Sequence, residues 1–441
     1  MLVLLAYICI GRPMLNILAG FSAKALCSCH FISDRTVRDI VNHELSIATW
    51  ANHAIDNERQ IASTSALGVT RHALYREGRG CTLVSEVDIE DLMSSASYSY
   101  QRDVRPFEFP LDTLDTSERL NMIMDNAFAE PYEDKKVNTR AVVIIKGGKL
   151  IAERYAPGYN QDTPQMGWSM TKSVINALMG ILVGQGTLDI YAPARIPEWY
   201  NQTQDPRQDI TIDHLLRMSS GLYFEEDYSS ASTVNQMLWT KADAALEAYS
   251  QTLAYEPDSL WYYASGTTNI ISKIIRNQFQ DDASYLSFPY KYLFDMIGMS
   301  TAVMETDASG TYVGSSLMYA SARDWAKFGQ LYLNDGIWEG KRILPEGWVA
   351  YSSTPSSTTA PYDFYGAQFW LNAKHPAPKG SGYPEPWTGV PSDAYYASGF
   401  EGQTVLIIPS MEMIIVRLGQ TLDRSLWDMG AFAAAIILEL D

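Results

Sequence analysis

The spacing of apolar positions predicts two helices that begin directly after short polar segments. Residues 173–183 form a nearly continuous apolar run that follows Ser169 and Lys172. An apolar run of this length without turn residues is typical of a buried helix. Four isoleucines at positions 270–275 repeat with the period of a helix face, so a second helix is predicted to begin close to Ser265.

A second set of apolar segments has the length and composition of strands. Residues 141–146 and 149–155 flank Gly147-Gly148, a dipeptide that favours a two-residue hairpin turn. Residues 404–409 and 413–418 indicate two further strands near the carboxyl end. We expect these four segments to build one antiparallel sheet.

The segments between these strands are predicted to be mainly helical. The region of about 185–350 alternates helical patterns with long polar loops, and the Pro, Ser, Thr and Tyr content of 189–206 and 354–391 indicates loops. Residues 425–440 are rich in alanine and leucine and predict a closing helix that packs on the sheet. A substrate cleft is expected between the sheet and the helical lobe.

Ser169 and Lys172 place a hydroxyl and an amine on one face of the first helix, because they lie three residues apart. Serine is a weak nucleophile near neutral pH, but a neutral amine beside it can take its proton. Burial and the positive end of the helix both lower the pKa of a lysine, and the same backbone amides can bind a developing oxyanion. The alternative is that Ser169 only caps the helix.

Tyr263 stands two residues before Ser265, where its phenol can project into a cleft ahead of the second helix. It is predicted to be a general acid or base, with the phenolate favoured whenever Lys172 is protonated. The alternative for the aromatic run 261–263 is core packing, to which we assign Tyr262.

Ser398, Gly399 and Phe400 form a third element, which leads into the strand at 404–409. Glycine lets one backbone approach another group closely, so the amide of Phe400 is predicted to complete an oxyanion hole with the amide of Ser169. The alternative is that this glycine-rich turn is an ordinary bulge or hairpin.

The three elements, in this order, resemble the motifs of the penicillin-recognising serine hydrolases. That family includes class C β-lactamases, serine DD-peptidases, and related esterases and amide hydrolases. The likeness covers roughly residues 105–441, and within the family it is closest to the branch of the 6-aminohexanoate-dimer hydrolases. Beyond the three motifs it extends over the segments 168–188, 214–222, 224–228, 322–325, 328–333 and 343–349.

The resemblance implies an α+β fold of the β-lactamase-like or transpeptidase-like type, in which helices flank an antiparallel sheet and a mainly helical lobe lies beside it. It makes Ser169 the acylated nucleophile, Lys172 its general base, and Tyr263 the residue that relays a proton to the leaving group. Ser265 occupies the position of an asparagine in class C β-lactamases. The third motif of those enzymes carries a cation, whereas Ala397-Ser398-Gly399 has none, so we do not expect efficient β-lactam turnover.

The implied function is hydrolysis of ester or amide bonds in small substrates through an acyl-enzyme on Ser169. A β-lactamase, a D-alanyl-D-alanine carboxypeptidase and a non-catalytic ligand sensor on the same scaffold are the alternatives. Substrate and oxyanion contacts are predicted for Ser265, Ser398, Gly399 and Phe400. Aromatic side chains near the motifs are predicted to line a pocket for a short acyl or amide group, and they are Trp168, Tyr223, Tyr228, Trp261 and Tyr395.

The composition fits a folded enzyme that acts on small molecules. With 441 residues, 46% of them hydrophobic, the chain is long enough for a sizeable core. A net charge of −18 argues against a nucleic-acid partner, because phosphate binding needs concentrated Lys and Arg. The six histidines show no metal-ligand spacing, and no dinucleotide or phosphate-loop fingerprint occurs, so neither a metal nor an organic cofactor is expected. A Gly-x-Ser-x-Gly elbow is absent, which disfavours a Ser-His-Asp hydrolase.

Residues 1–104 differ in character from the predicted catalytic domain at 105–441. Leu2 to Ile10 are apolar, Arg12-Pro13 interrupts the run, and 14–21 resumes it, which fits either an export signal or membrane anchor, or an ordinary buried helix. The resemblance of this extension to long-form family members favours an extracytoplasmic, periplasmic or membrane-associated location; the alternative is the cytoplasm.

Four cysteines lie in this extension, at positions 9, 27, 29 and 81. In an exported protein Cys81 is expected to pair with Cys27 or Cys29, whereas in the cytoplasm the thiols stay reduced. Because all four lie far in sequence from Ser169, thiol catalysis is not expected.

Overall fold

Fifteen strands and thirteen α-helices make up the part of the chain that the structure describes. The computed structural model describes residues 11–95, 100–112, 117–201 and 203–441. The helices in these ranges are α1 (Arg12–Phe31), α2 (Val37–Asn42), α3 (Ile89–Ser94), α4 (Glu118–Phe128), α5 (Thr171–Gly184), α6 (Ile212–Leu216), α7 (Thr233–Trp239), α8 (Ala244–Tyr249), α9 (Ser265–Arg276), α10 (Asp282–Pro289), α11 (Ala322–Leu333), α12 (Trp348–Ser353) and α13 (Met429–Leu440).

The strands in these ranges form four antiparallel sheets. The fifteen strands are β1 (Asn52–Asp56), β2 (Ile61–Ala66), β3 (Val69–Arg76), β4 (Gly80–Leu83), β5 (Thr139–Lys146), β6 (Lys149–Tyr155), β7 (Gln165–Met166), β8 (Val303–Met304), β9 (Met318–Ala320), β10 (Ile337–Trp338), β11 (Lys341–Arg342), β12 (Trp370–Leu371), β13 (Tyr395–Gly399), β14 (Gln403–Ile408) and β15 (Met413–Gly419).

The central sheet has six strands in the order β12-β13-β14-β15-β5-β6. Its β5–β6 hairpin turns at Gly147 and Gly148, whose φ angles of 55° and 72° are ones that glycine adopts without strain. The sequence-based prediction that the strands at 141–155 and 404–418 share one antiparallel sheet is confirmed.

Both faces of this sheet are covered by helices. Along β5, Val142 and Ile144 contact the apolar residues of α4 and α13, whereas Val143 and Ile145 face the core under α11. This alternation follows from the two-residue period of a strand. The predicted closing helix is present as α13, and it begins at Met429, a few residues later than expected. The predicted α+β architecture, an antiparallel sheet flanked by helices with a helical lobe beside it, is confirmed.

The helical lobe is formed by α5 to α10. Helix α5 lies at its centre, with all residues from Thr171 to Leu182 buried, which agrees with the continuous apolar run in the sequence. The segments 189–206 and 354–391 are mostly loops as predicted, apart from single turns and the two-residue strand β12.

The N-terminal unit, here residues 11–95, is a small sheet in the order β1-β2-β3-β4 with α1 lying across it. A disulfide joins Cys27 of α1 to Cys81 of β4, whereas Cys29 is a buried free thiol. Residues two positions apart on a helix point in different directions, so only one of the two cysteines of α1 faces β4. Cys9 lies outside the described residues.

Buried contacts join the N-terminal unit to the rest of the chain. The ammonium group of Lys24 forms an ion pair with Glu305, and both side chains are almost fully buried. The Ser28 hydroxyl and the Cys81 backbone N–H also donate to Glu305, over 2.8 and 2.7 Å. The ring of Phe21 packs 5.3 Å from that of Trp239, between centroids.

The apolar segment Leu2 to Ile10, which we considered as an export signal or anchor, lies outside the described residues. Its continuation at 14–21 is part of α1 and is partly buried. Within the ranges that the structure describes, no helix has both the length and the apolar content needed to cross a bilayer.

Candidate active site

Ser169 sits in a tight turn at the base of a large cleft. A single 3-10 turn, Trp168–Met170, leads directly into α5 and holds the Ser169 side chain partly exposed. Trp168 adopts a positive φ of 48°, a left-handed conformation that costs energy for a residue with a side chain. The Thr171 hydroxyl donates to the Trp168 carbonyl over 2.7 Å, which holds the turn in place.

Lys172 is the second residue of α5, about one turn beyond Ser169, and is only 1% exposed. Its Nζ atom is 2.9 Å from Ser169 Oγ, 3.0 Å from Ser265 Oγ and 2.9 Å from the Ser315 carbonyl oxygen. Burial lowers the pKa of Lys172 to about 8, although the negative charge of Glu226 opposes this shift. A substantial fraction of the lysine is therefore neutral near physiological pH and able to accept a proton.

Tyr263 lies across the cleft from α5, and the Lys172 ammonium position is 4.9 Å from its ring centroid. A side-chain hydrogen bond joins Tyr263 to Ser169. Burial raises the pKa of Tyr263 above its ordinary value, and the charge of Glu226 raises it further. The prediction that the phenolate is favoured here is therefore wrong, because the surroundings keep the phenol protonated.

Strand β13 supplies the third predicted element, and it passes very close to the Ser169 turn. A Cβ atom at Gly399 would lie 2.3 Å from the Gly167 carbonyl oxygen, so only glycine permits this approach. Ser398, Gly399 and Phe400 all line the cleft next to Ser169. Their predicted role in holding the oxyanion stays a prediction.

The cleft has a volume of about 1070 Å³ and is lined largely by aromatic side chains. Two of the five predicted pocket residues, Tyr228 and Trp261, line it, and Tyr228 stacks on Phe400 with 5.2 Å between ring centroids. Further aromatic residues of the wall were not predicted: Tyr262, Trp370, Tyr383, Trp387, Tyr396 and Trp427. The assignment of Tyr262 to the core is therefore wrong as well, since its side chain is 43% exposed.

The other three predicted pocket residues do not line the cleft. Tyr223 is 43% exposed and donates its hydroxyl to Glu225, outside the cleft wall. Trp168 points behind the Ser169 turn, because its left-handed backbone directs the side chain into the core. Tyr395 lies on the core face of β13, since strand alternation brings Tyr396 to the cleft instead.

Several residues of the site come from segments that the motifs do not include. Glu226 accepts hydrogen bonds from the Ser265 backbone N–H over 2.7 Å and from the Ser265 hydroxyl over 2.6 Å. Ser315 takes part through its backbone carbonyl, for which the sequence carries no signal. Arg424 is the one positively charged residue among the described residues that line the cleft. The third motif carries no cation, but Arg424 gives the cleft a positive charge.

In the described ranges no three His, Cys, Asp or Glu side chains are grouped so that they could hold a metal ion. The chemistry available from the residues present is that of a hydroxyl, an amine and a phenol.

Comparison with known proteins agrees with this geometry. Residues 124–437 match the Beta-lactamase family. The 6-aminohexanoate-dimer hydrolase of Paenarthrobacter ureafaciens is 23% identical over 317 residues, which cover 68% of this chain and 78% of that protein.

Solved structures show the same fold. A class C beta lactamase from Rhodobacter sphaeroides superposes with a TM-score of 0.55 at 15% identity, covering 74% of this chain and 100% of that one. A family VIII carboxylesterase superposes with a TM-score of 0.53 at 16% identity, covering 73% of this chain and 96% of that one. The family match contains Ser169, Lys172, Tyr263 and β13, so the chain belongs to the Beta-lactamase family, and the solved structures share its fold.

Proposed function

We propose that the protein is a serine hydrolase that cleaves ester or amide bonds of small substrates through an acyl-enzyme on Ser169. The observation that carries the proposal is the buried Lys172 amine, which is 2.9 Å from Ser169 Oγ and has a pKa lowered to about 8. An amine in this state can accept the serine proton, which is what a hydroxyl nucleophile requires.

The reaction proceeds in two steps. Lys172 takes the Ser169 proton while Oγ attacks the substrate carbonyl carbon, and the amides of Ser169 and Phe400 hold the resulting oxyanion. Tyr263, kept protonated by its surroundings, donates its phenolic proton to the leaving group and regains one from the Lys172 ammonium. Water then attacks the acyl-enzyme with Lys172 again as base, and the carboxylic acid leaves.

The cleft indicates which substrates to test. Its aromatic walls favour an apolar acyl chain or linker, and Arg424 favours a substrate that carries a negative charge away from the scissile bond. Arg424→Ala should raise the KM for carboxylate-bearing esters up to about fivefold, the range of an exposed ion pair, and leave neutral esters of the same length unchanged. An equal change for both substrate sets would contradict a role in charge recognition.

The decisive experiment is covalent labelling with a fluorophosphonate probe, followed by intact-mass spectrometry. Wild-type protein should gain one adduct, Ser169→Ala should gain none, and Ser425→Ala, which removes another cleft serine, should label like wild type. Labelling that persists in Ser169→Ala would refute the proposal. A panel of ester, short linear amide, D-Ala-D-Ala and cephalosporin substrates then separates an esterase or amidase from a carboxypeptidase or β-lactamase, and acylation without turnover indicates a sensor.

We also propose an extracytoplasmic location, with residues 1–104 as an extension of the catalytic domain at 105–441. The Cys27–Cys81 disulfide supports this proposal, because such bonds persist mainly in oxidising compartments. Cys27 and Cys81 are fully buried, so protein taken from its native host is alkylated in denaturant, where both should be modified only after reduction. Alkylation of both without reductant would favour the cytoplasm.

A further inference from the structure

Glu226 determines the hydrogen-bond directions around Lys172. Its Oε2 accepts from the Ser265 backbone N–H over 2.7 Å, and its Oε1 accepts from the Ser265 hydroxyl over 2.6 Å. The Tyr228 hydroxyl also donates to Oε1, over 3.1 Å. Ser265 Oγ lies 3.0 Å from Lys172 Nζ on its other side. Glu226, Ser265 and Lys172 therefore form a chain that ends at the nucleophile.

The direction of every bond in this chain follows from the groups present. An ionised carboxylate has no hydrogen to donate, so the single hydroxyl hydrogen of Ser265 points at Glu226. Ser265 can then only accept from Lys172. The Ser315 carbonyl, 2.9 Å from Lys172 Nζ, can also only accept. A neutral amine has two hydrogens and one lone pair, and with both hydrogens engaged the lone pair is left facing Ser169 Oγ.

We propose that Glu226 is a positioning residue that keeps the lone pair of Lys172 aimed at Ser169 Oγ, by holding the Ser265 hydroxyl as an acceptor. This inference rests on the proposed function. If Ser265 turned its hydrogen toward Lys172, that hydrogen would occupy the lone pair and the amine could no longer take the serine proton.

A tightly held loop positions Glu226 beside Ser265. Gly221 begins the loop with a φ of 74°, and a Cβ at this position would lie 2.1 Å from the Tyr255 carbonyl oxygen. The Tyr223 backbone N–H donates to the Thr252 carbonyl over 2.8 Å, which fixes the following turn. Helix α9 begins at Ser265 without a side-chain cap from its own N-cap residue. Glu226 therefore also stabilises the start of α9, and a test must separate this structural role from positioning.

Glu226→Gln separates the two roles, because the replacement has the same shape. The Ser265 backbone N–H needs an acceptor, so the new amide oxygen must face it, which turns the amide NH₂ group toward Ser265 Oγ. Ser265 then accepts from residue 226 and donates to Lys172. We expect the rate of acylation by an activated ester to fall about 100-fold, within the range known for general base catalysis.

The double variant Glu226→Gln with Ser265→Ala provides the sharpest readout. Removing the Ser265 hydroxyl removes the competing donor, so the double variant should acylate at least about 10-fold faster than Glu226→Gln alone. It should match Ser265→Ala, which by itself should be slowed only a few-fold. If Glu226 acted only by stabilising α9, the double variant would be as slow as Glu226→Gln or slower, and this result would overturn the proposal.

The pH profile gives an independent measurement. The titratable groups that face Glu226 are Lys172, Tyr228, Tyr262, Tyr263 and Tyr365. Removing the negative charge of Glu226 lowers the pKa of Lys172, so the rising limb of the acylation profile should move to lower pH in Glu226→Gln. A purely structural defect lowers the rate without moving the midpoint, and an unmoved midpoint would contradict the proposal.

Glu226→Ala serves if the glutamine variant does not fold, because Glu226 lines the open cleft and a small anion can reach its place. Acetate should restore acylation at millimolar concentration, whereas acetamide, which can donate to Ser265, should not. Equal rescue by both, or by neither, would overturn the positioning role. Absence of any Ser169 adduct in wild-type protein would instead refute the proposed function itself, so the two failures are distinguishable.

Discussion

Two buried lysines illustrate how differently the two regions of this molecule use charge. Lys172 at the cleft has hydroxyl and carbonyl partners, with Glu226 reached only through Ser265. Lys24 in the N-terminal unit instead forms a direct, fully buried ion pair with Glu305. Burial lowers the pKa of both amines; the charge and hydrogen bond of Glu305 oppose this shift directly at Lys24, whereas at Lys172 only the more distant charge of Glu226 does. The Lys24–Glu305 pair also joins two parts of the chain. Burial therefore makes the amine of Lys172 reactive, whereas the buried Lys24 pair holds two parts of the chain together.

Lys172→Met should give the largest effect on activity. Without its general base, acylation of Ser169 should fall about 10³-fold or more, while the fold is retained, because methionine fills most of the buried volume. Stopped-flow acylation with an activated ester and a thermal unfolding scan measure the two quantities. An activity loss that merely follows a loss of folded protein would mean that Lys172, like Lys24, acts on stability rather than on catalysis.

Lys24→Met should lower stability while leaving activity nearly unchanged. It leaves Glu305 buried with two neutral donors but no cation, which should lower the free energy of unfolding by about 3 kcal/mol. Activity per folded molecule should stay close to that of wild type. Adding Glu305→Gln to this variant removes the uncompensated charge and should recover part of the stability, as followed by urea unfolding. No recovery would mean that packing rather than charge joins the N-terminal unit to the rest.

The fold was largely predictable from the sequence because its signals are local. The Gly147-Gly148 turn, the apolar run of α5 and the three-residue spacing of Ser169 and Lys172 each lie within one short, continuous segment of the chain. Glu226, by contrast, comes to Ser265 from a loop 39 residues away, and acidic residues in a loop usually indicate only solvent exposure. Long-range approach of this kind leaves no pattern in a single sequence.

The wrong predictions for Trp168 and Tyr395 have a related cause. Strand β13 is covered on both faces, so its residues do not alternate between apolar and polar, and the sequence Tyr395-Tyr396 does not reveal which ring faces the cleft. Trp168 was assigned to the pocket because it neighbours Ser169. Its left-handed backbone, which no local residue pattern indicates, turns it the other way.

The pH dependence of acylation tests the assignment of Lys172 as the general base. Because general base catalysis needs neutral Lys172, the rate should rise with pH through a midpoint near the pKa of about 8, and at pH 6 it should be about 100-fold below its plateau.

The lowered pKa of Lys172 should also make the stability of the protein depend on pH. The folded-state pKa is lower than the ordinary 10.5, so the protonated lysine disfavours folding below pH 8, and this penalty disappears between about pH 8 and 10.5. The stability of wild type relative to Lys172→Met should therefore increase with pH across that window. A flat difference would show that the amine is not desolvated.

Phe21→Ala tests the place where the two regions meet, and it should have the smallest effect. The ring of Phe21 in α1 stacks on Trp168, with 6.4 Å between centroids, directly behind the nucleophile turn. Losing this partly buried ring should lower the free energy of unfolding by about 2 kcal/mol and also lower kcat a few-fold, because Trp168 gains freedom to move the Ser169 turn. Phe31→Ala is the matched control, since Phe31 lies on the same helix but stacks on Tyr75, with 5.3 Å between centroids, within the N-terminal unit. It should lose stability with unchanged kcat. If both variants changed kcat equally, α1 would support the whole catalytic region rather than the turn that carries Ser169.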